Sequence, residues 1–258
     1  MGRVIVINSG KGGVGKTTTA INLGVSLNKL NKEVVIVDAN LNTPNVGLQL
    51  GAPIVPVTLN HVLKGKADIS EVIYEHSSGT KIIPSSLSIK ELTKFNTKKL
   101  PEIAKQLKKD YDFVIFDSAA GFGEEVIAVI EASDEIIIVT NPEMPAVTDA
   151  LKAVKVARSM GKEVNGVIVT RYKNARYEMP LSSIKSMLET QIIGVIPEDK
   201  AVKESLNLRD AVIHTHPRSK VSKKYNEIAL KVLGPEAEKS LKKNKRYLAG
   251  FFDRIRGI

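Results

Sequence analysis

Nine consecutive residues, Gly10-Lys11-Gly12-Gly13-Val14-Gly15-Lys16-Thr17-Thr18, carry the plainest chemistry in this chain. They fit G-x-x-x-x-G-K-[ST], a spacing that turns successive backbone N–H groups toward phosphate oxygens. The glycines permit the turn, and a helix starting there adds its positive N-terminal pole. Lys16 is placed to reach the β- and γ-phosphates of a nucleoside triphosphate, and the Thr17 hydroxyl to hold Mg2+. Two carboxylates at the ends of apolar runs complete the expected metal set: Asp38 after Val34-Val35-Ile36-Val37, and Asp117 after Phe113-Val114-Ile115-Phe116. Asp117 reads as the acid that reaches Mg2+ through water.

The surrounding elements must be those that can present such a loop. Val4-Ile5-Val6-Ile7 before it reads as a short buried strand, and Thr19 to Leu27 after it has helical spacing. Further apolar runs predict strands at Glu33–Asp38, Thr80–Pro84, Asp112–Asp117, Glu135–Thr140, Asn165–Tyr172 and from Ile192 to Pro197-Glu198-Asp199. Between them lie a helical stretch at Leu59–Lys64, an amphipathic helix with Leu100, Ile103, Ala104 and Leu107 on one face, and a helix from Ala146 to Ser159 ended by Gly161. Strand and helix alternate, so the expected fold is α/β: a single doubly wound domain with a mainly parallel sheet and the nucleotide at the strand C-termini.

Lys11 is unnecessary for holding one nucleotide. The run Lys-Gly-Gly-Val-Gly-Lys-Thr-Thr resembles the deviant Walker A motif of the MinD/ParA family of P-loop ATPases, closer to its MinD branch. The resemblance covers residues 1–235 and implies an ATP hydrolase that closes as a homodimer around ATP and Mg2+, Lys11 of each copy reaching the other's nucleotide. Lys11, Lys16 and Asn40 are then the catalytic candidates. Asp38-Ala39-Asn40 stands where the family's switch I has Asp-x-Asp, so an amide replaces the acid that orients the attacking water. An amide holds a water but is a poor general base, which predicts slow turnover. Asn45 matches a family asparagine near the γ-phosphate. Ser118-Ala119-Ala120-Gly121 resembles switch II with Ala119 in place of a proline, and Gly121 would offer a backbone N–H to the γ-phosphate. By the same resemblance, Thr170-Arg171-Tyr172 and Pro197-Glu198-Asp199 border adenine. Glu143 and Asp149, around Asn141-Pro142-Glu143, lie near the dimer and partner-binding face. No Asn-Lys-x-Asp is found, which favours ATP over GTP.

Composition narrows the classes. The 258 residues contain no Cys, which excludes disulfides, thiolate metal sites and iron–sulfur chemistry. His214-Thr215-His216 resembles a metal pair, but no acidic cluster stands beside it in sequence, and a loop before a helix starting near Pro217 is the preferred reading. No signal peptide or transmembrane run is visible, so the chain is expected in the cytoplasm.

Of the net charge of +10, +8 falls between Arg218 and Ile258, where 12 Lys and Arg face 4 Asp and Glu. Residues 236–258 form a separate basic tail. In it Tyr247, Leu248, Phe251, Phe252 and Ile255 share one helical face, with Lys242, Lys243, Lys245, Arg246, Arg254 and Arg256 around them. Bulky apolar groups with flanking cations describe a helix lying in an anionic membrane surface. Leu248, Phe251, Phe252 and Ile255 are the lipid contacts expected of it, on the inner face of the cell membrane. The family resemblance points the same way, toward membrane attachment switched by ATP, recruitment of a protein partner and placement of the division site. The alternative is ParA-like binding of non-specific DNA, against which the one-sided clustering of the aromatics speaks.

Overall fold

The computed structural model describes residues 2–52, 54–88 and 96–235. The tail 236–258, with Leu248, Phe251, Phe252 and Ile255, lies outside the described residues.

Among the described residues eight strands make one sheet: β1 (Arg3–Asn8), β2 (Val34–Ala39), β3 (Tyr74–Glu75), β4 (Lys81–Ile83), β5 (Phe113–Ser118), β6 (Glu135–Thr140), β7 (Val164–Tyr172) and β8 (Ile192–Pro197). Their order across the sheet is β3-β4-β2-β5-β1-β6-β7-β8. Every pairing is parallel except that of β3 with β4, an antiparallel edge absent from the sequence reading. The helices are α1 (Lys16–Asn28), α2 (Val46–Gln49), α3 (Leu59–Leu63), α4 (Leu100–Leu107), α5 (Glu124–Ala132), α6 (Met144–Ser159), α7 (Leu181–Leu188), α8 (Lys200–Asn207), α9 (Val212–Thr215) and α10 (Lys220–Leu233).

Alternation of side chains along β1 explains the two covered faces. Ile5 and Ile7 join the layer that holds Leu23 and Leu27 of α1 and Tyr225 and Ile228 of α10. Val4 and Val6 join the opposite layer, with Ile103 and Leu107 of α4 and Val129 of α5. A third cluster packs Ile136 and Ile138 of β6 against Val147, Ala150 and Val154 of α6 and Ile184 and Leu188 of α7. Each fully buried Ile or Leu contributes about 1.5–3 kcal/mol. The central strands are apolar on both sides, as a sheet covered by helices on both faces requires.

Two local readings are corrected. His214 lies in the short helix α9 rather than in a loop, and the helix expected near Pro217 starts at Lys220, where the Ser219 hydroxyl accepts the Ser222 N–H at 3.1 Å. That cap satisfies an otherwise orphaned helix donor and fixes the start.

Candidate functional site

The phosphate loop leaves the C-terminal end of β1, between β5 and β6, and runs into α1. Gly15 precedes the helix with φ of 95°, a left-handed turn that a side chain strains. Gly10 is glycine for a different reason. A Cβ there would sit 2.1 Å from the backbone oxygen of Asp149, so the loop passes directly against α6.

Lys16 is buried, and its ammonium donates to the Ser9 hydroxyl at 2.9 Å while that hydroxyl donates to the Lys11 carbonyl at 2.7 Å. Burial lowers the Lys16 pKa and the Asp117 charge opposes the shift. The Thr17 hydroxyl donates to Asp117 Oδ2 at 2.6 Å. Asp117 Oδ1 is buried without a hydrogen-bond partner among the described residues. An unpaired buried carboxylate oxygen beside a threonine hydroxyl is an oxygen donor set that fits Mg2+, and Thr17 and Asp117 would hold the ion. Bound there, Mg2+ supplies charge that offsets the triphosphate's.

Asp38 and Asp117 are register partners on β2 and β5, and neither is exposed. Burial first, then the Asp117 charge, pushes the Asp38 carboxyl well above its ordinary range. Burial lifts Asp117 to about 6, opposed by its hydrogen bond from Thr17 and by the Lys16 charge. Asp38 also has a structural task. Its Oδ2 accepts the N–H groups of Asn45 and Val46, both at 2.9 Å, and its Oδ1 accepts that of Asn40 at 3.2 Å. This single carboxylate folds the segment from Asn40 to Val46 over the strand end.

Within that segment, Asn40 and Asn45 both close on Thr43. Asn40 Nδ2 donates to the Thr43 carbonyl at 2.7 Å, and Asn45 Nδ2 donates to the same oxygen at 2.6 Å. Asn40 Oδ1 accepts the Thr43 hydroxyl at 3.0 Å. A carboxylate at position 40 could accept that hydroxyl but could not donate to the carbonyl. On the other side, the Gly121 N–H points to the Ser9 carbonyl at 3.4 Å, and the Ser118 hydroxyl donates to the Ile7 carbonyl at 2.9 Å.

Two adjoining cavities meet here. One, of about 340 Å³, is lined by Gly12, Gly13, Lys16, Asn40, Asn45 and Arg171 among others. The other, of about 250 Å³, is walled by Val14, Arg171, Pro197, Glu198, Asp199 and Tyr225 among others. Gly15, Thr18, Arg171 and Leu206 line both. The first suits phosphates and the second an apolar base. The Asp199 carboxylate caps α8, its Oδ1 accepting the Ala201 N–H at 3.0 Å. Larger cavities elsewhere, such as one of about 510 Å³ beside Arg3 and Lys231, are remote from these residues. Lys11 is exposed, and its side chain makes no hydrogen bond or ion pair among the described residues.

Sequence reasoning did not single out Ser9 or Tyr225, nor the tie that Thr170 makes. Ser9 tethers Lys16. Thr170 Oγ1 lies 2.6 Å from the Val14 carbonyl and ties β7 to the phosphate loop. Tyr225 closes the base cavity, its hydroxyl 3.2 Å from Thr19 Oγ1 and its pKa pushed up to about 12 by burial. Thr170 and Tyr225 are far from their partners in sequence, so no local motif announces those contacts.

A parallel sheet with a glycine loop, a buried lysine and a Thr–Asp pair at its C-terminal edge defines a P-loop nucleotide hydrolase. A family model described as an AAA domain matches residues 2–170. An uncharacterized ATP-binding protein of Methanocaldococcus jannaschii is 37% identical over 98% of each chain. The MinD structure of Pyrococcus horikoshii complexed with Mg-ADP superposes with a TM-score of 0.86 at 33% identity, covering 90% of this chain and 96% of that one. A MinC:MinD cell division complex of Aquifex aeolicus gives 0.82 at 28% identity, covering 90% and 96%. The chain belongs to the MinD/ParA family of P-loop ATPases.

Proposed function

We propose that this chain is an ATP-driven dimerisation switch that attaches to anionic membrane in its ATP state and there recruits a protein partner, in division-site placement or related spatial organisation. The observation that carries the reading is Lys11. It lies in a phosphate loop whose own nucleotide lysine is already supplied by Lys16, and it is exposed with no partner on its own chain among the described residues. In this reading that exposed cation reaches the triphosphate of a second copy. ATP, Mg2+ and the residues Lys16, Thr17, Asp38, Asp117, Asn45, Gly121 and Arg171 form each half-site, with Asn40 in the place of the water-orienting acid and turnover correspondingly slow.

Support for a partner comes from the Aquifex aeolicus MinC:MinD complex and from Glu143 and Met144 at the start of α6, both exposed. Support for the membrane comes from the sequence of the tail alone. Each tail gains about 1 kcal/mol per basic residue near anionic lipid, and pairing two tails adds by avidity. Among the described residues no helix is long and apolar enough to cross a membrane.

Light scattering of the full chain tests the switch. Mg-ATP should give a dimer and Mg-ADP a monomer, and Lys11→Ala should stay monomeric while still binding ATP. A monomer in saturating Mg-ATP would overturn the proposal. Sedimentation with phosphatidylglycerol vesicles should need both ATP and residues 236–258. Salt-sensitive DNA binding that survives removal of the tail would instead support the partitioning reading.

A further inference from the structure

Away from the nucleotide, the fold brings His76 to two side chains that lie four residues apart in sequence, Asp210 and His214. His76 follows β3 at the turn into β4, Asp210 follows α8, and His214 lies on α9. One potential ligand atom from each lies within 4.8 Å of the other two. His76 Nε2 is 3.8 Å from Asp210 Oδ1, and His214 Nδ1 is 3.2 Å from the same oxygen. We propose that His76, Asp210 and His214 form a binding site for a divalent transition-metal ion of the Zn2+ type, separate from the Mg2+ of the nucleotide site.

The geometry is close to what such an ion needs. Ligand bonds of about 2.0–2.2 Å in a tetrahedron place donor atoms roughly 3.3 Å apart, so the side chains need small rotations and no backbone change. Two imidazoles and one carboxylate suit Zn2+, Co2+, Ni2+ or Cu2+, whereas Mg2+ and Ca2+ take oxygen ligands. Three protein ligands leave a fourth position for water.

The second shell is also built. The Ser78 hydroxyl is 2.9 Å from His76 Nδ1 and accepts the Thr80 N–H at 3.3 Å. The Ser78 N–H also donates to that Nδ1 at 3.3 Å, and the two contacts hold the ring with Nε2 toward Asp210. Asp210 Oδ1 is fixed by the Ala211 N–H at 2.6 Å. The short helix carrying His214 is pinned to α1, with the Lys29 ammonium on the Ile213 carbonyl at 3.0 Å and the Ile213 N–H on Asn22 Oδ1 at 3.2 Å. Lys29 is the neighbouring cation and opposes the ion. The bound ion would clip the β3–β4 edge to the segment between α8 and α9. Because α8 carries Leu206 into the wall of both nucleotide cavities, the clip braces that wall.

The test uses the full chain stripped with a chelator and titrated with ZnCl2 by calorimetry in 1 mM MgCl2. One Zn2+ per chain should bind with micromolar or tighter affinity and raise the melting temperature. His76→Ala and His214→Ala should each weaken binding at least tenfold, while His216→Ala, whose ring pairs with Glu204, should bind like the wild type. His76→Gln retains a polar partner for Ser78 and serves if the alanine variant fails to fold. No stoichiometric Zn2+ binding by the wild type would overturn the proposal, leaving the three residues as an ion-paired cluster only. Unchanged affinity in folded His76 and His214 variants would overturn it equally.

Discussion

Asp38 and Asp117 stand side by side at the C-terminal ends of adjacent strands, fully buried, yet their carboxylates have opposite employment. Asp38 accepts three backbone N–H groups. Asp117 meets one hydroxyl and keeps Oδ1 without a partner among the described residues. One acid shapes the loop, and the other is placed to take a cation.

Replacing Asp117 by Asn should therefore stabilise the nucleotide-free protein while removing its activity. The substitution removes a buried charge without removing the acceptor for Thr17. A gain of about 1–3 kcal/mol, seen as a few degrees in melting temperature, is expected. Mg2+-dependent ATP hydrolysis should fall by at least about 100-fold, with the loss read as ΔΔG‡.

The same carboxyl sets a pH dependence. Folded Asp117 protonates at about 6, whereas an unfolded aspartate does so near ~4. Between these values the folded state holds the extra proton, so its stability rises as pH falls from 7 toward 4. Chemical denaturation of wild type and Asp117→Asn without nucleotide should show the variant's advantage at pH 7 and its closure toward pH 4.

Asn40→Asp supplies a carboxylate where water is to be oriented, at the cost of the donor to the Thr43 carbonyl. Single-turnover hydrolysis should accelerate by about 10-fold or more. Asn40→Ala, which loses the loop bond without gaining an acid, should not accelerate. Equal rates in wild type and Asn40→Asp would overturn the proposal that Asn40 slows turnover.

The glycine pair Gly10 and Gly12 offers a steric test. Gly10→Ala drives a methyl into the Asp149 backbone and should cost on the order of 1–3 kcal/mol together with ATP binding. A Cβ at Gly12 meets nothing within 4 Å, so Gly12→Ala should leave the melting temperature unchanged.

Arg171→Ala probes the seam between the two cavities. This side chain is exposed, and its residue holds φ of 53°. An exposed cation near phosphate is worth about 1 kcal/mol or less, so ATP affinity should weaken roughly 3- to 5-fold with kcat little changed.

Much of this arrangement was legible from the chain because its parts are contiguous. The loop from Gly10 to Thr18 is a single run, and the strands ending in Asp38 and Asp117 are unbroken apolar segments. What escaped reading depends on tertiary placement. Thr19 and Tyr225 are 206 residues apart, and Thr170 lies 156 residues from Val14. Asp210 stands four residues before His214, but the second imidazole, His76, joins them only when the fold brings the β3–β4 edge beside them. That edge is itself short, two residues of β3 against β4, too little for a period-two pattern to register. Asn40 was read as a weakened catalyst from its position alone, and its hold on Thr43 required coordinates.

The absence of slack between Gly10 and the Asp149 backbone gives the molecule a mechanical linkage. A loop with no room beside it cannot be pushed without carrying the neighbouring helix along, and a hand laid on that helix presses back on the loop. A partner that grips α6 would thus feel which phosphates are held, and would lean on them in return.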